Sequence, residues 1–339
     1  MWSTALGAPT AQTLVSAAVA APSVHNTQPW RFRLAPDGTT FEVRAAAHRG
    51  LRHADPTGRA LHLSVGCAVL NLRVAVARLG REPVTRLLPS PGEPELLATV
   101  RLGGPARGAP AARLYEALWY RHSSRLPFYD VPVPLAVLTE LAEAAHYEGA
   151  VLSRPGPGET ERLLRLTWDA EHRNTADPDR AAESRHWVRE PDGERLGLPP
   201  GVLGPQDFRE RLPLRDFGAH RHPSDLPSRP FERRPSLAVL STAHDRRTDW
   251  LRAGQALERV LLVATAHGLR ASLLHQALEW PDLREQLVPG ADGRKAHAQM
   301  VIRLGYGPEG AATPRRPVGQ AMDEDLRDAT GPRVPAPPE

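Results

Sequence analysis

Three short segments of this 339-residue chain concentrate groups that hold anions and flat heterocycles. Arg121-His122-Ser123-Ser124-Arg125 places two arginines and two hydroxyls within five residues. A dianionic phosphate needs charge neutralisation and several donors at once; a guanidinium supplies a planar fork of donors and a serine adds a neutral one. Pro314-Arg315-Arg316-Pro317 offers a further arginine pair on a backbone stiffened by proline. Pro22-Ser23-Val24-His25-Asn26-Thr27-Gln28-Pro29-Trp30 packs hydroxyl, imidazole and amide donors into a turn set by two prolines. Such a loop can read the edge of a flat ring system through backbone N–H groups and the Asn26 amide. Taken singly, each segment has a plainer reading: a solvated helix end, one arginine pair among many, an Asn/Ser-rich turn.

The elements that must position these segments follow from periodicity. Residues 10–21 are expected to be helical, with Thr10 as cap, Leu14, Val15, Ala18 and Val19 on one face, and Pro22 ending the run. After the 22–30 loop, Phe32/Leu34 and Phe41/Val43 alternate on either side of Asp37-Gly38, the pattern of a hairpin. Residues 62–79 are apolar on nearly every side, which predicts a helix buried on several faces and stopped by Gly80. Residues 96–102 read as a strand, Tyr115 onward as a helix running into 121–125, and 135–146 as an amphipathic helix. Residues 173–235 are rich in Pro, Arg, Asp and Gly and lack periodicity, which predicts a lid, a binding loop or disorder. Strands are expected at 236–242 and 298–304, with a helix over 248–267 between them; the tail past Asp325 reads as frayed.

Composition narrows the function classes. The length allows one large or two ordinary domains, and a 41% hydrophobic content supports a substantial core. The net charge of +4 and pI near 9.7 come from arginines dispersed among 39 acids, with Lys295 the only lysine. Without a basic block this argues against nucleic acid. The lone Cys67 rules out an internal disulfide and fits a reducing, cytoplasmic setting. Met1 to Leu6 shows no signal-peptide pattern, and no apolar run approaches the length of a membrane span, so neither secretion nor a membrane is expected. His220-Arg221-His222 is too closely spaced for a typical zinc pair, and no metal is expected. Gly305-Tyr306-Gly307-Pro308-Glu309-Gly310 fits G-x-G-x-x-G after a strand, but Pro308, Pro314 and Pro317 forbid the helix that a dinucleotide would need.

The chain also repeats itself. Gly66 and Gly80 bracket the helix from 62 as Gly254 and Gly268 bracket the helix from 248, and helix 10–21 corresponds loosely to helix 135–146. This is the pattern of an old duplication.

Beyond these readings, Ala21 to Phe32 resembles the flavin-edge loop of the nitroreductase superfamily, S-P-S-x-x-N-[ST]-Q-P-W-x-F. Arg121 to Arg125 resembles that superfamily's phosphate-binding R-[RH]-S-x-[RK] element. Val301 to Pro317 is similar to its closing strand, G-Y segment and returning basic pair, and helix 62–80 to its long central helix, with Asn71 near the usual Gln-Asn position. The N-terminal half has the loop without an Arg-Ser element, while the C-terminal half has the element but has lost the loop motif around Ala145 to Gly149. The arrangement resembles the fused, Acg-like branch, over roughly residues 10–320.

The resemblance implies an α+β nitroreductase-like fold arranged as an intrachain pseudo-dimer, with halves 1–108 and 109–339 and a lid drawn from 173–235. It implies FMN held by Pro22, Ser23, Val24, Asn26, Gln28, Arg121, His122, Ser123, Arg125, Leu274, His275, Gln276, Arg315 and Arg316. No side-chain acid or base is assigned; His25 and His275 are possible proton sources, with a structural role the plainer reading. The implied activity is two-electron hydride transfer through flavin N5 to or from a nitroaromatic, quinone, enone or biosynthetic intermediate, with NAD(P)H as a possible donor. The rival is a flavin-sequestering or stress protein with little turnover. Monomer and homodimer both remain open.

Overall fold

The computed structural model describes residues 6–106, 113–189, 195–217, 228–288 and 296–322. The expected frayed tail and the His220-Arg221-His222 segment lie outside the described residues.

Two four-stranded antiparallel sheets share one topology. The first orders β1(Trp30–Leu34), β2(Thr40–Ala45), β4(Leu96–Pro105) and β3(Arg81–Leu87) as β1-β2-β4-β3. The second orders β5(Val151–Ser153), β6(Ser236–Thr242), β8(His297–Gly305) and β7(Arg270–Leu274) as β5-β6-β8-β7. Strand period writes the core: Phe41, Val43 and Ala45 of β2 are buried while Thr40, Glu42 and Arg44 are not. β8 is buried along all but its first residue, as a central strand should be.

Each sheet accompanies a 20-residue helix, α2(Arg59–Arg78) and α7(Arg247–Ala266). These two pack on each other, with α1(Ala8–Val19) against α2 and α4(Leu135–Tyr147) against α7. Two glycines set their approach. A Cβ on Gly66 would lie 2.4 Å from the Leu251 carbonyl oxygen, and one on Gly254 would lie 2.1 Å from that of Leu63. Backbones this close admit no side chain, so both positions are restricted to glycine. The Cys67 thiol donates to the Gly254 carbonyl at 3.2 Å in the same crossing. By composition α2 is long enough to cross a membrane, which the run-length reading did not register; most of it is buried inside the protein as a core helix.

Several boundaries differ from expectation. α1 begins at Ala8 with Gly7 as N-cap and Pro9 in its first turn, not at a Thr10 cap. The helix expected from Tyr115 is the single turn α3(Ala117–Tyr120), after which Arg121 is extended. β3 went unread because its exposed residues and Pro83 hide the period of two. The 173–235 segment is partly regular: α5(Pro157–Ala176) runs into it, and α6(Pro178–His186) follows at once. Asp177 caps α6 by accepting from the Asp179 and Arg180 amides. Polar residues on the outer faces of both helices masked their periodicity.

Both ends of the core are laced together. Met322, after the short α8(Val318–Ala321), bridges to Phe32 of the first sheet, while Ser123 bridges to Ala271 of the second. The elements enclosing the loop 22–30 therefore come from both halves of the chain.

Candidate active site

The loop after α1 is strained and tightly held. His25, Asn26 and Gln28 adopt φ of 50°, 54° and 47°, a left-handed conformation uncommon for any residue but glycine. Three such residues within four positions persist only where surrounding contacts over-determine them. Here the Ser23 hydroxyl accepts from the Gln28 amide at 2.9 Å, and the Ser64 hydroxyl of α2 accepts from the Val24 amide at 3.3 Å.

Arg121 to Arg125 is held as a loop strand rather than a helix. The Ser124 amide donates to the Ala271 carbonyl at 2.8 Å. Beyond it, Arg303 of β8, wholly buried, donates to the Leu126 carbonyl at 3.2 Å and to Glu232 at 2.6 Å, and Glu232 accepts from the Phe128 amide at 3.0 Å. The glycines of the G-x-G-x-x-G look-alike serve this packing. Cβ atoms at Gly305 and Gly307 would meet the Phe128 ring at 2.8 Å, and one at Gly310 would meet the Ser123 carbonyl at 2.9 Å. No helix starts there; residues 306–317 are irregular, as the prolines require.

Two contiguous cavities occupy the space so framed. The larger, of about 860 Å³, is lined by Pro22 to His25, by Leu63, Ser64 and Cys67 of α2, by Leu257 of α7, and by Ser272 to Gln276. The smaller, of about 470 Å³, is lined by Asn26, Arg121, His122, Thr313 and Arg315 among others. Pro22, Ser23, His25, Ser123 and Arg125 line both.

The expected site residues thus converge, with three revisions. Gln28 is fully buried and lines neither cavity; its amide donates to the Arg195 carbonyl at 2.8 Å and accepts from the Arg316 amide at 2.9 Å. Arg316 lines neither cavity and turns its guanidinium to the Gln320 carbonyl. Asn26 does not offer its amide to a ring. Its donors are used on the Gly197 and Pro314 carbonyls at 2.8 and 3.0 Å, and its oxygen accepts from Arg315 at 3.0 Å. Asn71 is likewise a packing residue, wholly buried and donating to the Ala17 carbonyl.

The smaller cavity carries an excess of positive charge. Burial and the nearby Arg121 push Arg315 down to about 9, and burial and Arg215 push Arg125 down to about 10. Arg315 Nε is buried without a hydrogen-bond partner among the described residues. The counter-charge is Glu258 of α7, fully buried at 3.3 Å from Arg121. Burial raises Glu258 to about 7 despite Arg121 and Arg315. Such a cluster suits an anion with several oxygens.

The larger cavity is mostly apolar, and the segment inserted between β5 and β6 contributes Leu214, Arg215 and Phe217 to its lining. Arg215 donates to His25 Nε2 at 2.9 Å and pairs with Glu279. Glu279 also accepts from His275 Nδ1 at 2.9 Å, and His275 Nε2 accepts from Arg59 at 3.0 Å. Burial alone would raise Glu279, but Arg215 and His275 hold it at about 2. Burial pushes both histidines down; Arg215 adds to this at His25, and at His275 Glu279 opposes it while Arg59 and Arg215 add to it. The Cys67 thiol is pushed well up by burial and Glu258, and is a packing group. Among the described residues no group of His, Cys, Asp or Glu is arranged to hold a metal ion. The inserted residues were missed individually because irregular segments carry no periodic signal, and Ser64, Leu257 and Glu258 because a helix buried all round hides which residue faces a cavity.

The donor set fits FMN. One end gathers three arginines around an unpartnered guanidinium nitrogen; the other is a mostly apolar space edged by backbone and histidine.

No family model matches the chain. Curated relatives do. A Mycobacterium tuberculosis (strain ATCC 25618 / H37Rv) protein named, provisionally, NAD(P)H nitroreductase Rv3131 is 31% identical over 322 residues, covering 93% of this chain and 92% of its own. Another from that strain, named in the same provisional way NAD(P)H nitroreductase acg, is 29% identical over 320 residues, 93% of this chain and 95% of its own. Among solved structures, a nitroreductase with bound FMN from Bacteroides fragilis overlaps 59% of this chain and 90% of its own at 18% identity and a TM-score of 0.35. The FMN and NADPH-dependent nitroreductase NfnB from Sphigopyxis sp. strain HMH overlaps 62% and 97% at 16% identity and a TM-score of 0.38. Those two overlaps are too weak to add to the full-length likeness in sequence. On that likeness, the chain belongs to the nitroreductase superfamily.

Proposed function

We propose that this protein is an FMN-dependent oxidoreductase that passes two electrons between a nicotinamide donor and a small organic acceptor such as a nitroaromatic, a quinone or an enone. The observation that carries it is the joining of the 22–26 loop, the 121–125 segment and residues 272–276 around two cavities that share lining residues, with the arginine excess at the smaller one. Relatives named as NAD(P)H nitroreductases support the donor, and the arginine-lined cavity beside a mostly apolar one supports the cofactor.

In this reading Arg121, Arg125 and Arg315 hold the phosphate, with Ser123 and His122 beside them. Glu258 orients Arg121 from beneath. Pro22 to Val24, Ser64 and Leu274 to Gln276 border the ring. Bound FMN supplies hydride chemistry at N5. The chain's own part is to place the ring and to exclude water with apolar walls. The same reading takes 1–108 and 109–339 as fused halves, supported by the shared strand order, and the chain as cytoplasmic.

One observation favours a second reading, a flavin-holding protein with slow turnover. The insert is anchored to both halves. Glu183 of α6 accepts from the amides of Arg52, His53 and Ala54, and Val202 accepts from Arg125 at 3.0 Å. A lid so anchored would hinder a nicotinamide. Anaerobic titration of the FMN-loaded protein with NADPH and NADH separates the two. Bleaching of the flavin spectrum and recovery with a nitroaromatic supports the reductase; a spectrum that stays oxidised defeats it. No flavin uptake after reconstitution defeats both.

A further inference from the structure

Buried carboxylates in this part of the molecule are not held alike. Glu232 receives two nitrogens of the Arg303 guanidinium and the Phe128 amide. Glu279 is surrounded by Arg215, Arg180, Asn174 and His275. Glu258 of α7 is 0% exposed and has only the Arg121 Nε, at 3.3 Å, within ion-pair distance. Neither of its oxygens accepts a hydrogen bond among the described residues. Taking a carboxylate out of water is costly unless hydrogen bonds and opposite charge replace the lost hydration. Glu258 has the charge without the hydrogen bonds, so its ionised form depends on the arginines nearby.

The charged and titratable groups that bear on Glu258 are Arg121 from the segment after α3, Arg315 from the C-terminal segment and the Cys67 thiol of α2, with the neutral Asn71 of α2 beside them. Burial pushes Glu258 up to about 7, and Arg121 and Arg315 oppose the rise. Arg315 otherwise meets neutral oxygens among the described residues, those of Asn26, Thr313, Pro314 and Ala20. Arg121 also donates to the Ala20 carbonyl, at 3.1 Å. One acid therefore serves two arginines. Both arginines line the smaller cavity, while Glu258 lies behind them and does not. An anion in that cavity competes for the charge that keeps Glu258 ionised without having to touch it. Like charges in one low-dielectric cluster disfavour each other, and the one able to take a proton does so.

We propose that Glu258 is an exchangeable counter-ion of the phosphate site: it balances Arg121 and Arg315 in the FMN-free protein, and takes up one proton from solvent when the phosphate dianion of FMN replaces it in that role. This rests on the reading of the smaller cavity as the FMN phosphate site. The step is a proton transfer alone; the carboxylate becomes a carboxylic acid and no electron moves. Glu258 touches no ligand and is a positioning residue that acts through Arg121. Because binding then consumes a proton, FMN affinity falls as pH rises past the point where Glu258 ionises in the FMN-free protein. The central helix of the C-terminal half thereby couples cofactor retention to pH.

The test is calorimetric titration of apoprotein with FMN at pH 7.5, in two phosphate-free buffers of different ionisation enthalpy, which counts the protons taken up per FMN. At this pH a phosphomonoester is already almost wholly a dianion, so its own ionisation contributes little. Wild type should take up about 0.7 proton, and its FMN affinity should fall about tenfold between pH 7.0 and 8.5. Glu258→Gln keeps the shape of the side chain and cannot ionise. It should take up no proton, and its FMN affinity should stay level over the same range.

FMN binding to wild type without proton uptake overturns the proposal. So does uptake that persists in Glu258→Gln, which assigns the proton to a histidine lining the smaller cavity, His122 or His25, instead. Glu258→Leu provides the same comparison should Glu258→Gln not fold. A wild-type protein that binds no FMN at any pH defeats the functional reading and this inference together, whereas FMN binding with no proton uptake, or with uptake independent of Glu258, defeats this inference alone.

Discussion

The two long helices cross at glycines in equivalent positions, yet their two faces have opposite fates. At the constant offset of 188 residues that relates Gly66 to Gly254 and Gly80 to Gly268, Leu63 corresponds to Leu251, Ser64 to Arg252, Cys67 to Gln255 and Asn71 to Arg259. On the α2 side, small Ser64 and Cys67 face the loop after α1, and a cavity remains. On the α7 side, the turn after α4 carries Glu148, which pairs with Arg73 and Arg259 at 2.6 Å each. Gln255 accepts from Arg73 at 2.7 Å, and Arg259 lies over the Tyr147 ring at 4.4 Å. The same frame therefore holds an open space where its side chains are short and a closed ion-pair cluster where they are long.

The comparison can be broken most severely at the crossing both faces share. Gly254→Ala should prevent the helix pair from assembling, since its Cβ would sit 2.1 Å from the Leu63 carbonyl oxygen. Circular dichroism with urea unfolding checks this, and a cooperative transition at wild-type denaturant concentration would contradict it. The closed face alone is addressed by Glu148→Ala. Leaving Arg73 and Arg259 without their acid should cost about 3 kcal/mol of stability while FMN affinity stays unchanged. Urea unfolding and an FMN titration on the same preparation give both numbers.

The asymmetry also has a pH signature. Glu258 of α7 lies beside Arg121 at the open site, and its counterpart on α2 is Leu70, so the closed cluster has no equivalent acid. Its folded pKa is raised from 4.5 to about 7, so between those values the folded chain binds a proton that the unfolded chain has released. Its contribution to stability is therefore greatest below pH 4.5 and is lost as pH rises through 7, by a total on the order of 3 kcal/mol. Glu258→Gln should remove that decline, which unfolding curves across pH 5–8 would reveal.

Smaller effects sharpen the assignment of the open face. Arg121→Ala should weaken FMN binding by about 2 kcal/mol through loss of a charge-assisted contact, and unchanged flavin retention on dialysis would remove Arg121 from the phosphate site. Asn26→Ala should act through Arg315 and lower FMN affinity by about 0.5–1 kcal/mol, with the flavin absorption spectrum unmoved. A shifted spectrum would instead return Asn26 to the ring edge, where its residue type alone had suggested it.

Much of this arrangement was legible in the chain by itself. Helical and strand periodicity located α2, α4, α7, β2 and β8, because each has one environment along its length and the pattern of apolar residues records it. The segments at 22–30, 121–125 and 315 announced themselves through residue type, since anion and ring recognition need donors that few other roles require. The glycine pairs marked the helix crossing, because close backbone contact tolerates no substitute. Tertiary structure decided the rest. Gln28 and Arg316 belong to the same motifs as Ser23 and Arg315 but turn away from the cavities, and Asn26 spends its amide on the insert and the C-terminal segment. Arg215 reaches His25 across 190 positions of sequence. Such pairings depend on where separate elements come to rest, and local sequence encodes the conformation of each element but not the direction from which its neighbour arrives.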